Sequence, residues 1–226
     1  MAGRHHRADP TTDPDLDVEP TEAGRHTRFR IPPPTRTQLV ALVLALMFLG
    51  GSVGHIIGAG RPPGRDSVDV GFAQDMSAHH DQAVTMASIV IDKATEPLVR
   101  SFAREILVSQ RYEIGLMGAW LGEWGYGTDP DRVTAMGWMG MPVPVAEMPG
   151  MASQVQLDQL AGAEGRQIDS LYLAMMTEHH RGGVQMATVA AKKASDSRVR
   201  ALAAAIARSQ RIEINEMEAA RQRLGL

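Results

Sequence analysis

Histidine, methionine and glutamate recur at matched positions in two parts of the chain, one hundred residues apart. Residues 76–80 (MSAHH) return as residues 176–180 (MTEHH), and residues 109–114 (SQRYEI) return as residues 209–214 (SQRIEI) without a gap. Imidazole and thioether are ligands of borderline and soft metal ions. The repetition predicts that each half builds the same small metal site, and it offers little support for nucleophilic catalysis.

The repeated residues share one face of a predicted helix pair in each half. At about 100° per residue, the methionines and histidines of the first helix fall within an arc of about 120°, the width of a core-facing stripe. The glutamate and the last methionine lie on the corresponding stripe of the second helix. The predicted ligands are Met76, His79, His80, Met86, Glu113 and Met117 in the first half, and Met176, His179, His180, Met186, Glu213 and Met217 in the second.

These stripes require helices joined by short turns. Periodicity and breakers predict helices from residue 69 to about 94, from 95 to about 124, from 164 to 193 and from 195 to 223, with Thr95 as a side-chain N-cap. Joins this short make the paired helices antiparallel. The predicted fold is therefore all-α, a four-helix bundle of two repeated antiparallel hairpins, in a domain covering residues 69–226.

Folding each hairpin at its turn brings the histidines of one helix level with the glutamate of the next, because the rise per residue is equal. A carboxylate buried there without metal would need a protonated histidine or a proton of its own. The small residues Ala83 and Gly183 leave room either for an ion or for close helix approach.

The N-terminal part predicts a membrane anchor. Residues 1–37 are rich in Pro, Asp, Thr and Arg and predict a disordered cytoplasmic tail. Residues 38–60 are apolar over a length that just spans a bilayer, and residues 61–68 form a stalk. The arginines before the span favour an N-terminus inside and a domain outside the cytoplasmic membrane. A cleaved signal peptide with a secreted domain is the alternative. Glycines at 50, 54 and 58 are compatible with a homodimer through the span.

A connector, residues 125–163, separates the first repeat (69–124) from the second (164–224). It contains Met136, Met139, Met141, Met148 and Met151, and residues 153–160 are expected to form a short helix. Its low periodicity argues against a core element. The five methionines either fill gaps over the bundle end or form an accessory thioether site, since methionine suits both uses.

Composition excludes several classes of function. The chain has 226 residues, a formal charge of −3 and no cysteine, and 12 of its 14 methionines lie between Met76 and Met217. The charge gives no reason to expect a nucleic-acid partner. Without cysteine there is no disulfide and no thiolate metal site.

The donor set favours Cu(I) over iron. Thioether and imidazole together suit Cu(I), whereas a dinuclear iron site in a helical bundle uses Glu-x-x-His motifs and more carboxylates than this chain offers. A ferritin-like dinuclear oxidoreductase remains one alternative. A structural module without metal is another, because methionine and histidine in a helical core are commonly packing residues.

The paired motifs resemble the domain-of-unknown-function family numbered 305. The resemblance rests on Met-x-x-His-His, Val-x-Met-Ala and Ser-Gln-Arg-x-Glu-Ile-x-x-Met in both halves, and on residues 148–151 (MPGM), and it covers about residues 69–224. It implies a ferritin-like helical protein that is secreted or membrane-anchored, with some relatives binding copper in the periplasm. We therefore expect an extracytoplasmic protein that stores, sequesters or hands over Cu(I), through the twelve residues named above and without turnover.

Overall fold

The computed structural model describes residues 42–43, 45–47, 61–127, 129 and 132–226. The chain divides into two compact units, residues 1–59 and residues 60–226. In the first unit the described residues are helical, and the predicted tail and most of the predicted span (38–60) lie outside the described residues. No helix formed by the described residues combines the length and apolar character that a membrane crossing needs.

The second unit is mostly helical. Its α-helices are α1 (Val68–Val90), α2 (Pro97–Glu123), α3 (Gln154–Gly162), α4 (Arg166–Lys193) and α5 (Ser197–Leu224). Helix α1 begins where Ser67 accepts a hydrogen bond from the Val70 N–H at 3.2 Å. Helix α3 begins with a capping box between Ser153 and Gln156.

The turn between α1 and α2 corrects one prediction. Thr95 is not the N-cap of α2: that position is Glu96, whose side chain makes no capping bond. The backbone N–H groups of Thr95 and Glu96 donate instead to the Asp169 carboxylate of α4, at 3.1 and 3.2 Å, and the Thr95 hydroxyl bonds to the same group. The cap of this hairpin is therefore supplied by the other hairpin.

The second hairpin turn is capped in the same way from α1. The backbone N–H groups of Ser195 and Asp196 donate to the Asp69 carboxylate at 3.1 and 2.8 Å. Asp69 and Asp169 are 1% and 0% exposed, so both charges depend on these donors for solvation. The start of each histidine-bearing helix thus lies against the turn of the other hairpin, and α1 and α4 run antiparallel.

The four long helices enclose two hydrophobic clusters, and each cluster draws residues from all four. One cluster includes Phe72, Met76, Met117, Met186 and Ile206, and the other includes Met86, Val99, Tyr172, Met176 and Met217. The histidine pairs lie on α1 and α4, at positions between the residues of the two clusters. The fold therefore places the histidines in the middle of the core with methionine on both sides.

The connector is anchored to α1 by one buried carboxylate. It contains the two-stranded antiparallel β1 (Thr134–Ala135) and β2 (Val143–Pro144), with Ala135 opposite Val143. Asp75 accepts hydrogen bonds from the Met136 N–H and the Trp138 Nε1–H, each at 2.7 Å, and pairs with Arg132. Three donors from the connector therefore converge on one carboxylate.

This anchoring holds Met136 and Trp138 in close-packed positions. The Trp138 ring covers Gly71, where a methyl group would lie 2.3 Å from Cδ1. Met136 has φ 60°, a left-handed conformation that costs a residue with a side chain about 1–2 kcal/mol. Met136 and Met148 are each 2% exposed, so the connector places two of its five methionines in the core although its sequence shows no core periodicity.

The reciprocal caps give a stability prediction. Asp69→Ala and Asp169→Ala each remove the acceptor of two backbone N–H groups in the opposite turn, so we expect each to lower the free energy of unfolding by about 1–3 kcal/mol. Urea unfolding followed by circular dichroism measures the loss. Asp92→Ala, at an exposed position of the chain, is the matched control and should stay within about 0.5 kcal/mol of the parent. Equal stabilities of all three variants would contradict the capping role.

Candidate metal centre

The second histidine of each pair bonds to the glutamate of its own hairpin. His80 Nε2 lies 2.7 Å from Glu113 Oε2, and His180 Nε2 lies 2.6 Å from Glu213 Oε2. Both imidazoles are 0% exposed, whereas the glutamate side chains are 18% and 17% exposed. The glutamates therefore retain contact with solvent and are less desolvated than the sequence predicted. A carboxylate accepts, so the imidazole Nε2–H donates and the proton is held on Nε2.

The first histidines meet each other across the two hairpins. The His79 and His179 rings stack with centroids 3.7 Å apart and planes 30° from parallel. His79 Nε2 also lies 3.1 Å from the carbonyl oxygen of Pro149 in the connector. The sequence placed both histidines of each pair against their own hairpin's second helix. The structure does this only for His80 and His180, because residues adjacent in sequence point about 100° apart on a helix.

Five buried ring nitrogens of these histidines have no hydrogen-bond partner among the described residues. They are Nδ1 of His79, His80 and His180, and both Nδ1 and Nε2 of His179. A buried polar atom without a partner destabilises the fold by about 1–3 kcal/mol, so a cluster of five requires an explanation. On His79, His80 and His180 the protein acceptor lies at Nε2, which leaves the Nδ1 lone pair facing the interior.

Burial keeps the two stacked histidines neutral. Desolvation, with a smaller contribution from neighbouring His80, lowers the pKa of His79 from 6.5 to about 3. Desolvation also lowers the pKa of His179 well below its usual value, and the imidazoles of His79 and His180 add to the effect. Both rings are therefore neutral at physiological pH and carry lone pairs.

The six predicted methionine ligands are fully buried but divided between the two hydrophobic clusters. Met76, Met117 and Met186 lie in the first cluster, and Met86, Met176 and Met217 lie in the second. Each cluster combines two methionines of one hairpin with one of the other. The structure thus places the histidines between two thioether groups rather than enclosing one set of ligands in each hairpin.

The connector covers the stacked histidines. A methyl group at Gly182 would lie 1.7 Å from the Pro149 carbonyl oxygen, and one at Gly150 would lie 2.6 Å from the Glu178 carbonyl. Gln82 fixes the next residue, because its side chain both donates to the Ala152 carbonyl at 2.9 Å and accepts from the Ala152 N–H at 2.6 Å. The backbone of residues 149–152 is therefore held against α1 and α4.

Close helix approach explains one of the two small residues. A methyl group at Gly183 would lie 2.3 Å from Gln210 Oε1. Gln210 and Gln110 are each 2% exposed, and neither Oε1 has a hydrogen-bond partner among the described residues. The amide groups thus add further unsatisfied oxygen atoms to the core beside the histidines.

Some residues of this region were not predicted from the sequence. The Pro149 carbonyl has no side-chain signal, although the MPGM motif marks its position. Tyr172 is fully buried, its hydroxyl lacks a partner within the described region, and burial with nearby Glu213 raises its pKa. Tyr172 and Gly182 could have been found as departures from the repeat, because the residues one hundred positions earlier are Phe72 and Gln82.

The described histidines have two carboxylate partners, Glu113 and Glu213. No group of three or more His, Asp or Glu side chains within the described ranges is arranged to hold a metal ion. Neutral imidazole nitrogen and thioether sulfur are the donors that suit Cu(I) and similar soft ions.

The family model for a domain of unknown function, DUF305, matches residues 69–221. The chain belongs to the DUF305 family. A comparison with curated proteins found no match. The match covers α1 to α5 except the first residue of α1 and the last three residues of α5.

Solved structures of DUF305 proteins share the fold. A protein from Streptomyces coelicolor, for which secretion is proposed, is 38% identical with a TM-score of 0.67, over 72% of this chain and 96% of that one. A DUF305 fragment from Deinococcus radiodurans is 32% identical with a TM-score of 0.59, over 69% and 96%. CopM in its Cu(I)-bound form is 29% identical with a TM-score of 0.52, over 69% and 96%. CopM has also been solved with Cu(II), with silver and in the apo form.

Burial of neutral histidine makes the stability of the metal-free DUF305 protein depend on pH. As the pH falls below 6.5, the unfolded chain protonates His79 and His179, whereas folded His79 resists protonation down to about 3. Protonation therefore stabilises the unfolded state. We expect His79 to remove about 2 kcal/mol of stability at about pH 5 relative to about pH 7, and His179 to act in the same direction. Urea unfolding of chelator-treated protein at both pH values measures this. His79→Gln and His179→Gln should each flatten the pH dependence, and an unchanged slope would contradict the assignment.

The cover over the histidines gives a second prediction for this DUF305 protein. Gly182→Ala places a methyl group on the Pro149 backbone, so we expect about 2–3 kcal/mol of destabilisation, measured by urea unfolding. Gly118→Ala on α2 is the control, because a methyl group at that position has no atom within 4 Å. We expect the control to be nearly neutral, and equal losses in the two variants would contradict the packing of the connector on α4.

Proposed function

We propose that this DUF305 protein binds Cu(I), or a similar soft monovalent ion, through histidine and methionine in order to store, sequester or transfer it. The observation that carries the proposal is the set of five buried ring nitrogens without partners. A structural histidine in a core is expected to satisfy its polar atoms with protein groups. Four histidines that leave lone pairs unsatisfied in a layer between methionine clusters are better explained as ligands.

The hydrogen bonds of the histidines prepare them for this role. Glu113 and Glu213 hold the proton of His80 and His180 on Nε2, which leaves Nδ1 unprotonated and available to a metal ion. A carboxylate that orients a histidine and raises its basicity is a common partner in metal sites. The sequence grouped both glutamates with the ligands; we propose that they act as positioning residues for the two imidazoles.

The six buried methionines supply the remaining donors. Met76 and Met176 lie one helical turn before the stacked His79 and His179, and the other four belong to the same two clusters. A neutral imidazole and thioether set leaves the charge of a monovalent ion uncompensated but avoids burying additional carboxylates. In this proposal the four long helices act as one bundle around the ion.

The relatives support copper as the ion. CopM, which this chain resembles over most of CopM's length, has been solved with Cu(I), Cu(II) and silver bound. A dinuclear iron oxidoreductase finds less support, because such sites depend on several carboxylates and the described histidines have two carboxylate partners, Glu113 and Glu213.

We place this activity outside the cytoplasm. Secretion is proposed for the relative from Streptomyces coelicolor. Absence of cysteine agrees with an oxidising compartment, where thioethers are the more durable soft donors. The apolar segment at residues 38–60 would provide either an anchor or a leader.

Copper binding can be tested with variants that keep the core intact. We expect the full-length chain to compete with a calibrated chelator for Cu(I) under anaerobic conditions. His80→Gln with His180→Gln keeps an amide donor for each glutamate but removes Nδ1, so we expect the affinity to fall at least tenfold, about 1.4 kcal/mol.

The control changes exposed positions of the same two helices, Thr85→Ala with Gln185→Ala, and should bind as the parent does. Elemental analysis of protein purified without chelators or metal-affinity resin gives the native metal. Failure of the parent to take up Cu(I), or undiminished affinity after both histidine substitutions, would refute the proposal.

A further inference from the structure

Helix α2 presents an apolar face to solvent. Val108 and Tyr112, one helical turn apart, are 63% and 67% exposed. Gly115, Ala119 and Gly122 continue the same side of the helix and are also exposed. We name residues 108, 112, 115, 119 and 122 the α2 face. A contiguous exposed apolar face is typical of a surface that meets a partner.

The equivalent side of α5 is polar, so the fold does not require the apolar α2 face. At the positions that repeat Val108, Gly115 and Gly122, α5 has arginine, asparagine and glutamine, and all three are exposed. This difference is confined to the solvent side of two matched helices, where it has no effect on packing within the chain. It therefore indicates a contact that α2 makes and α5 does not.

Two residues of the α2 face weaken their own helix. Glycine inside a helix loses more conformational freedom on folding than alanine does. A methyl group at Gly115 or Gly122 would meet no atom within 4 Å, so packing among the described residues gives no reason for glycine at either position. Close approach of another chain does give a reason, because it needs the space that a side chain would fill.

The α2 face has the spacing of a coiled coil. Val108, Gly115 and Gly122 lie seven residues apart, with Tyr112 and Ala119 between them. A seven-residue repeat keeps these positions on one contact line when two helices pair at 3.5 residues per turn. The spacing therefore favours another helix as the occupant of the face.

The two sides of this contact line carry complementary groups. Arg104 and Arg111 lie about 50° to one side, and Glu105 and Tyr112 lie about 50° to the other. A two-fold axis parallel to α2 brings the first side of one copy against the second side of the other. Arg104 then meets Glu105, and Arg111 meets the ring of Tyr112 in a cation–π contact. An antiparallel pair would instead place arginine against arginine.

The charged groups of α2 are available for these contacts. Arg104, Glu105 and Arg111 are exposed, and none of them forms an ion pair or a side-chain hydrogen bond with another described residue. In the second half, by contrast, Arg211 donates to Thr188 Oγ1 at 2.8 Å within its own hairpin. The arginine of α5 is therefore used inside the chain, whereas its counterpart in α2 is not.

We propose that two copies of this protein associate through the α2 face, with the two α2 helices parallel and related by a two-fold axis. The occupant is a second copy because the same surface supplies both partners of each cross-contact. The proposal goes beyond the proposed function and does not depend on it. Glu113, which binds His80, lies about 160° around α2 from the contact line and stays within its own core.

The absence of cysteine makes this contact testable by single-cysteine cross-linking of the full-length chain. Val108→Cys and Gly122→Cys lie about 21 Å apart along α2, so both can link to their own copies in one dimer only if the helices are parallel. We expect each variant, and Gly115→Cys, to form a disulfide-linked dimer when oxidised with diamide, because residues on the contact line come within disulfide range. Arg208→Cys and Gln222→Cys, at the matching positions of α5, are the controls and should stay monomeric.

A second measurement follows association without a cross-link. Val108→Arg with Gly115→Asn gives α2 the residues that α5 carries at the same positions, so we expect the fold to be kept. Sedimentation of the full-length chain in detergent should show a dissociation constant at least about tenfold above that of the parent. Ile212→Ala, at an exposed position of α5, should leave the constant unchanged. Circular dichroism checks folding, and if the double variant does not fold, Val108→Arg alone decides.

The outcomes separate this pairing from other arrangements. A monomeric parent overturns the proposal, and so does an unchanged dissociation constant in the folded double variant. Equal cross-linking at the α2 and α5 positions reports random collision and also overturns it. Cross-linking through Gly115→Cys, but through neither Val108→Cys nor Gly122→Cys, shows an antiparallel pair and overturns the parallel arrangement.

Discussion

The structure depends on the antiparallel crossing of α1 and α4, which two buried aspartates hold in register. Asp69 binds the turn of the second hairpin and Asp169 binds the turn of the first, so neither hairpin has a complete cap without the other. Sliding one hairpin by a turn would break both caps and leave two buried charges unsolvated. Because the caps lie at opposite ends of the pair, they determine which residues meet at its centre, and those residues are His79 and His179.

This register creates an unusual core, because it buries imidazole rings and leaves some of their nitrogen atoms without hydrogen-bond partners. Protein acceptors hold a proton on Nε2 of His79, His80 and His180, and the remaining ring nitrogens are buried without a hydrogen-bond partner among the described residues. Leaving those atoms unpaired destabilises the fold, and the packing of the two methionine-containing clusters between the helices offsets this loss. Under the proposed function, an ion would satisfy these lone pairs without first breaking a protein hydrogen bond. A site that is held ready in this way loses little conformational freedom when it is filled.

The sequence predicted what depends on local periodicity. His80 and Glu113 lie at the same height along their hairpin because the rise per residue is equal on the two helices. The ends of the helices follow from the turns at residues 91–96 and 194–196. The contact between His79 and His179 could not be predicted, because it depends on how one hairpin packs on the other. Thr95 was assigned a cap that Asp169 supplies from more than seventy residues away. The burial of Met136 could not be predicted for a different reason. It results from tertiary contacts to Asp75 and not from any pattern in the connector. The predicted tail and most of the predicted membrane segment lie outside the described residues.

The repeat diverges where the connector crosses it. A single strand of chain can cover the paired helices only once, so a pseudo-symmetric scaffold necessarily receives an asymmetric cover. At the crossing the two halves need different residues: Gly182 provides space for the Pro149 carbonyl, whereas its counterpart Gln82 provides the amide that binds Ala152. Farther along, Asp75 anchors the connector where the second half has Met175. Positions that keep histidine and methionine in both halves therefore reflect the shared core, and the positions that differ trace the path of the connector. This separation explains how two hairpins of matching sequence can keep the same buried histidines and methionines while their surroundings differ.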